Sequence, residues 1–503
     1  MFVTTMASDE QPIRYGGTES LQSTMPLNWD LIIEIMYFLA RPDASRMSRT
    51  CHTLLKTAPA VLLSDQGSSG PVAISSSKAF SSFLDFMLDG RRESFRHLRH
   101  LELFSEANWH KVPCVDERLT QFFKRAKDLK SFTLCGDLLQ PYQQVRSAFA
   151  SMNSLRSLEL AYVPVDTYEV LKTMHAPLTG VTLEFSDEEF NPILAIAPLK
   201  DSLRAVKLRS FDSLSSNAQF MHVVSLDTLF CELGHTSTII HSFPNLPDLR
   251  VQRDDTPAYQ IIQEAKQCRQ MNLSSPPERP WRSLRSLIGR TIDLYMLGLR
   301  CHARNVAVSV DCLHTPQDGE MLSTVLDDVR PTSVEVHLES SEFAPTQLSR
   351  YLAPATNCLQ VLSVIFGGYR HSSKNPTARF DSMIETLSTF PLRTLDICAH
   401  IGHFGLRSQD RVVRETDLRF DVEEVAHTAM RCIPSLRFVA IDGPRPVETR
   451  NLFEICEDEV GKGGGKTLRK VPPDLADKAR REFSQEEIFM KEWSMSSPWY
   501  WDL

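Results

Sequence analysis

Three stretches of this chain bring together residue types that could do chemistry. Gly461-Lys462-Gly463-Gly464-Gly465-Lys466-Thr467 invites comparison with a phosphate-binding loop, in which glycines let backbone N–H groups wrap a phosphate and a lysine adds charge. That wrapping requires four residues between a leading glycine and the Gly-Lys-Thr, and Val460 stands where the leading glycine belongs. Glu457, Asp458 and Glu459 would repel phosphate, so a flexible linker fits better than a nucleotide-hydrolysing enzyme built on Lys466. Cys398 with His400 and His403, and Cys301-His302 with Cys312 and His314, offer thiols and imidazoles of the kind zinc takes. Zinc needs four convergent ligands, usually in tightly spaced pairs, and buried thiols with exposed imidazoles account for these residues without metal. The acidic groups Asp187-Glu188-Glu189 and Glu423-Glu424 read as a solvated loop and a helix start. With no Gly-x-Ser-x-Gly and no His-Glu-x-x-His, the chain presents no catalytic constellation, and no enzyme, cofactor or metal is expected.

The residues that constrain function most are apolar. Between Leu31 and Leu39 only Glu34 is charged, so a helix there is apolar around nearly its whole circumference and must be covered from more than one side. Asn28 or Asp30 can cap it, Asp43 after Arg41-Pro42 opens a second helix, and a third is expected near Ala58-Pro59. A unit of roughly forty residues is near the lower limit for burying a core unaided. Apolar surface left over in so small a unit marks a partner site.

The same residues carry a resemblance. Pro26-Leu27, Asp30-Leu31, Glu34-Ile35, Leu39, Asp43, Cys51 and Leu54 resemble the F-box over residues 26–63. In that family three short helices insert into the small adaptor subunit of Skp/cullin/F-box ubiquitin ligases, and the rest of the chain captures the protein to be ubiquitinated. The resemblance implies that Pro26, Leu27, Leu31, Ile32, Ile35, Met36 and Leu39 bury against the adaptor, helped by Met47 and Cys51. The competing expectation is that these helices only cap the remainder of the chain, in a scaffold outside any ligase.

Beyond the helices a pattern recurs. Leu98-Arg99-His100-Leu101-Glu102-Leu103 fits apolar-x-x-apolar-x-apolar, and so do residues 129–134, 155–160, 178–183, 203–208, 246–251, 359–364, 392–397 and 436–441. The last two apolar side chains of each fall on one face of a short strand. Weaker copies lie at 226–230, 284–287 and 334–338. Helix-like segments at 116–126, 142–152, 165–174, 382–390 and 422–432 alternate with them. Strand and helix alternating every 20 to 45 or so residues resemble leucine-rich repeats, which stack into a solenoid or horseshoe. The usual Asn or Cys after the strand is mostly missing, so the array is expected to be irregular. Glu102, Thr133, Glu159, Thr182, Lys207 and Arg250 then fall on its open face. Residues 253–280 read as an inserted loop and 400–419 as a polar lengthening.

The whole chain is consistent with that organisation. It has 503 residues, 42% apolar and 23% charged, with a formal net charge of -8. That charge argues against broad binding to nucleic acid or anionic membrane. No secretory signal or spanning segment is visible, and eleven cysteines without a CxxC pair suit the reducing cytoplasm or nucleus. The expected fold class is α/β: a flexible tail at 1–22, a small three-helix F-box-like module at 23–65, an irregular leucine-rich-repeat solenoid at 66–450, and an acidic, glycine-rich linker with an aromatic tail at 451–503. The tail, which holds Trp493, Trp499 and Trp501, is expected to cap the open end of the array. The expected function is a substrate receptor that joins an unidentified protein to a Skp-type adaptor and, through it, a cullin-RING ligase. No nucleic acid or membrane partner is expected.

Overall fold

A computed structural model describes residues 28–64, 71–89, 92–104, 114–139, 142–185, 191–209, 217–229, 236–252, 258–310, 316–338, 345–366, 376–399, 421–442, 451–457, 465–473 and 475–476. Pro26, Leu27, the tail at 1–22, the lengthening at 400–419, Cys312, His314, the 187–189 acids and the tryptophans of the last residues lie outside that set.

Three helices come first: α1 (Trp29–Phe38), α2 (Arg41–Ser48) and α3 (His52–Leu63). Asn28 caps α1, its side chain accepting from the Asp30 N–H at 3.1 Å. The third helix starts at His52, six residues before the expected Ala58, and carries Pro59 in its interior. Proline there removes one backbone hydrogen bond, but Leu54, Ala58, Val61 and Leu63 on the same helix are buried and hold it in place.

A single sheet comes next, its strands lying side by side in chain order. They are β1 (Val72–Ile74), β2 (His100–Phe104), β3 (Ser131–Cys135), β4 (Ser157–Val163), β5 (Gly180–Phe185), β6 (Ala205–Arg209), β7 (Ser225–Leu229), β8 (Asp248–Gln252), β9 (Ser283–Arg290), β10 (His302–Val310), β11 (Ser333–Leu338), β12 (Val361–Phe366), β13 (Thr394–Ala399), β14 (Phe438–Asp442), β15 (Asn451–Glu457) and β16 (Lys466–Lys470). All pairings from β1 to β14 are parallel, and β14–β15–β16 are antiparallel. Each well-formed motif supplies one strand, which starts two residues in. The leading leucine sits just before the strand, and it and the two inward side chains are buried, as for Leu98, Leu101 and Leu103.

Between strands run α4 (Ser77–Asp89), α5 (Val115–Arg125), α6 (Gln143–Ala150), α7 (Val165–Thr173), α8 (Pro192–Ile196), α9 (Thr236–Ser242), α10 (Ala258–Ser274), α11 (Thr291–Leu297), α12 (Pro316–Val329), α13 (Pro345–Leu352), α14 (Pro376–Thr386) and α15 (Val422–Cys432). Successive helices touch, α5 to α8 in one run and α10 to α15 in another, so they form one layer against one face of the sheet. A continuous core runs between the layers from Leu63 to Phe453. This is a solenoid-like α/β repeat, in which each unit completes its core only against its neighbours.

Two expectations are corrected. Residues 253–280 are not a loop, because 258–274 form α10. Its buried side chains include Arg269, which donates to Asp328 at 2.5 Å and to the Tyr295 carbonyl at 3.0 Å, and Asn272, which donates to the Met296 carbonyl at 2.8 Å. Nor does the array stop at 450: β15 and β16 extend the sheet, and Lys466 opens β16 instead of closing a phosphate loop, with its ammonium donating to the Pro434 carbonyl. Pairing with β15 and packing of Leu468 on the core hold this strand in place.

Candidate functional site

The three helices have a small core of their own. Met36, Ala44, Leu54 and Val61 are buried at its centre, with Ile32, Ile33, Tyr37, Leu39, Met47, Cys51 and Leu62 packed around them. These inward residues cover only one side of α1. On the opposite side Leu31, Ile35 and Phe38 are 52%, 45% and 76% exposed. Their i, i+4, i+7 spacing aligns them in one stripe. Trp29 at the start of α1 and Leu55 on α3 are also about half exposed, at 49% and 54%. Asp30 and Glu34, four residues apart, edge the stripe with negative charge. Burying a large apolar side chain stabilises by about 1.5–3 kcal/mol, so a partner covering four such half-exposed groups would gain several kcal/mol.

The predicted adaptor contacts divide accordingly. Leu31 and Ile35 lie on the exposed stripe, whereas Ile32, Leu39, Met47 and Cys51 are half-buried and pack on the module core. Met36 is completely buried, so its contribution is to hold α1 on α3 and not to touch a partner. Phe38, Trp29 and Leu55 were not anticipated, although Phe38 continues the spacing that begins at Leu31 and Ile35.

The module is fixed to the array. Leu63 enters the main core, and α3 packs on the turn Arg92–His97. Arg41 donates to the Leu62 carbonyl at 3.2 Å and to the Pro71 carbonyl just before β1. Its charge also reaches Glu102 on β2. The exposed stripe is therefore held in a set relation to the first strands.

A second surface lies on the face of the sheet opposite the described helices. Register aligns Glu102, Thr133, Glu159, Thr182, Lys207, Asp227 and Arg250 in one row across β2 to β8. Lys207 and Arg250 reach Asp227 at 3.4 and 4.0 Å, and Arg209 reaches Glu184 at 3.2 Å. Burial and the nearby Glu159 raise the Glu102 carboxyl above its usual range, against an opposing pull from Arg41. Tyr162 sits at a register shift in β4 with φ +52°, about half exposed. Burial and its hydrogen bond to Glu184 push its hydroxyl up to about 12. Further along the same row Glu335, Ser363 and Asp396 are buried, so the accessible part of the face is that of β2 to β8.

Among the described residues no three His, Cys, Asp or Glu side chains converge as metal ligands do, and no helix is long and apolar enough to cross a membrane. Cys398 is buried on β13 with its thiol 3.9 Å from Asp442, and burial pushes Cys301 up to about 11.

No family model matches the chain, and no curated protein matches it. The chain is similar to one in a solved structure described as the crystal structure of the Rad7 and Elc1 complex in yeast. The identity is 12%, over 71% of this chain and 88% of that chain, with a TM-score of 0.29. At that level the likeness carries no argument about function; the exposed stripe of α1 does.

Proposed function

We propose that this chain is a substrate-receptor subunit of a Skp/cullin/F-box-type ubiquitin ligase. The observation that carries the reading is the stripe of Leu31, Ile35 and Phe38, which faces away from the module's own core. In this reading the stripe inserts into an apolar groove of a Skp-type adaptor, with Leu55 at its side. The solenoid is an irregular leucine-rich repeat whose open face over β2 to β8 holds a protein for ubiquitination by the cullin-RING partner, in the cytoplasm or nucleus. The chain itself does no covalent chemistry; it brings two proteins together. Fixing α3 to the array through Leu63 and Arg41 gives the captured protein a defined position relative to the adaptor.

One observation favours a second reading. Leu63 is part of the array core, as a terminal cap would be, and a capping module would suit a repeat scaffold outside any ligase. Co-purification with a Skp-type adaptor separates the two. The receptor reading expects the wild-type chain to bring the adaptor down and Leu31→Asp or Ile35→Asp to lose it. Undiminished adaptor binding by both variants would remove the stripe from the interface.

A further inference from the structure

The position just before each repeat strand forms a row of its own. The Lys130 N–H donates to the Arg99 carbonyl at 2.7 Å, Arg156 to Lys130 at 2.7 Å, Thr179 to Arg156 at 2.7 Å and Arg204 to Thr179 at 2.8 Å. The Val224 N–H donates to the Arg204 carbonyl at 2.7 Å. Pro247, opposite Val224, has no N–H to give, but its carbonyl accepts from the Arg285 N–H at 2.7 Å, and Arg304 stands opposite Arg285 between paired neighbours. It runs on through Thr332 and Gln360 to Arg393 and Arg437, the last link measuring 2.8 Å. Most of these places hold a cation, and every arginine among them is exposed. Adjacent strands lie ~4.8 Å apart, so the charges form a line along one rim of the sheet.

Among the described residues this line is neutralised only in part. Arg285 pairs with Asp248, but the side-chain bonds of Arg156 go to the carbonyls of Leu155 and, in the neighbouring unit, Pro177 at 3.5 and 3.4 Å, and those of Arg204 to the carbonyls of Leu203 and His222 at 3.2 and 3.5 Å, none of which carries net charge. In the turns before β3 and β6, Lys127 and Lys200 add to the cations while Asp128 and Asp201 subtract. A basic edge on a chain of net charge -8 is a local feature with its own ligand preference. Arginine forks suit carboxylates and phosphates alike, so the choice between them rests on the rest of the surface.

We propose that the rim is a docking surface for an acidic segment of a partner protein, one presenting a run of Asp and Glu side chains. Single-stranded nucleic acid is disfavoured because such sites pair basic grooves with aromatic stacking platforms. Among the described residues the exposed large aromatics are Trp29, Phe38, Phe86 and Tyr162, none of which precedes a strand. The charge of the whole chain opposes a duplex or an anionic membrane. The proposal does not depend on the module's binding an adaptor.

The test uses the full chain and a fluorescein-labelled poly-glutamate peptide of about sixteen residues, which at ~3.3 Å per residue crosses roughly ten strands. Binding is read by fluorescence anisotropy. The wild type should bind in a salt-sensitive manner, and Arg99→Glu/Arg156→Glu/Arg204→Glu should weaken binding about tenfold or more. The neutral triple Arg99→Gln/Arg156→Gln/Arg204→Gln should fall between them, and it serves as the test if the reversed triple does not fold. Lys124→Glu/Arg350→Glu/Arg431→Glu, at exposed positions in the helix layer, should bind as the wild type does. No binding by the wild type, or equal loss in both reversed triples, overturns the proposal. So does tighter, rim-dependent binding of a poly-uridylate strand.

Discussion

The three-helix module and the repeat array use similar apolar side chains but differ in how far they close. In the array, Phe122, Phe123, Phe132 and Phe149 interlock with ring centroids 5.2 to 5.6 Å apart, and every unit finds its missing wall on its neighbour. Its exposed large apolars among the described residues, Phe86, Tyr162, Leu194, Met221, Val224, Met271 and Leu475, are spread over several units and form no stripe along one helix. The module buries four residues at its centre and leaves Leu31, Ile35 and Phe38 in a line on the far side. An array completes itself by stacking, whereas a module of about forty residues has too little volume to cover both sides of α1.

That contrast can be broken experimentally. The largest effect is expected in the array, where Phe149→Ala should cost about 3–5 kcal/mol in denaturant unfolding because its close-packed ring leaves a cavity. Leu31→Ala, by comparison, should cost under about 0.5 kcal/mol as an exposed substitution. Similar costs for the two would mean that the stripe is already packed in the free chain. Met36→Ala comes next, at about 2–4 kcal/mol. Its effect should be confined to the module and appear as proteolytic nicking within 28–63 while the array's melting is retained.

A smaller loss is expected from Gly298→Ala. Gly298 ends α11 at φ +59° in the left-handed region, and a side chain there costs roughly 1 kcal/mol. The smallest effect concerns pH. The Glu102 carboxyl is raised in the folded state, so the fold holds its proton to higher pH than the unfolded chain does. Its contribution therefore falls as pH rises through the carboxylate range and is most adverse above the folded value. Glu102→Gln should slightly raise the melting temperature at neutral pH and flatten that dependence; a lower melting temperature at neutral pH would mean that the attraction of Arg41's charge outweighs its burial.

Much of the array was legible because one leucine pattern does two jobs, closing the preceding loop and filling the strand's inner face. Where a unit uses other means, the reading failed. The inner side of α10 holds Arg269 and Asn272 beside Ala265 and Cys268, a mixed set that gives little apolar periodicity, and the ion pair with Asp328 and the bonds to the Tyr295 and Met296 carbonyls let the two polar side chains join a core face. The strands β15 and β16 run antiparallel and flank a glycine run, so the repeat pattern does not extend to them. In the candidate site, the near-complete apolarity of α1 pointed to a two-sided helix. Which residues face which way depends on where α3 packs, and Pro59, a residue type that favours a helix's first turn, hides that start by lying in the interior of α3. The cation at the second position of most motifs is plain in the sequence, but only the register of the sheet turns it into a line.

The central claim is that the outward stripe of α1 is an interface for a Skp-type adaptor. It is tested most directly by titrating purified adaptor calorimetrically into the full chain and into Leu31→Asp/Ile35→Asp, with circular dichroism to show that both are folded. Saturable binding by the wild type and none by the folded double variant is the predicted result; equal binding by the two, or none by the wild type, would contradict it.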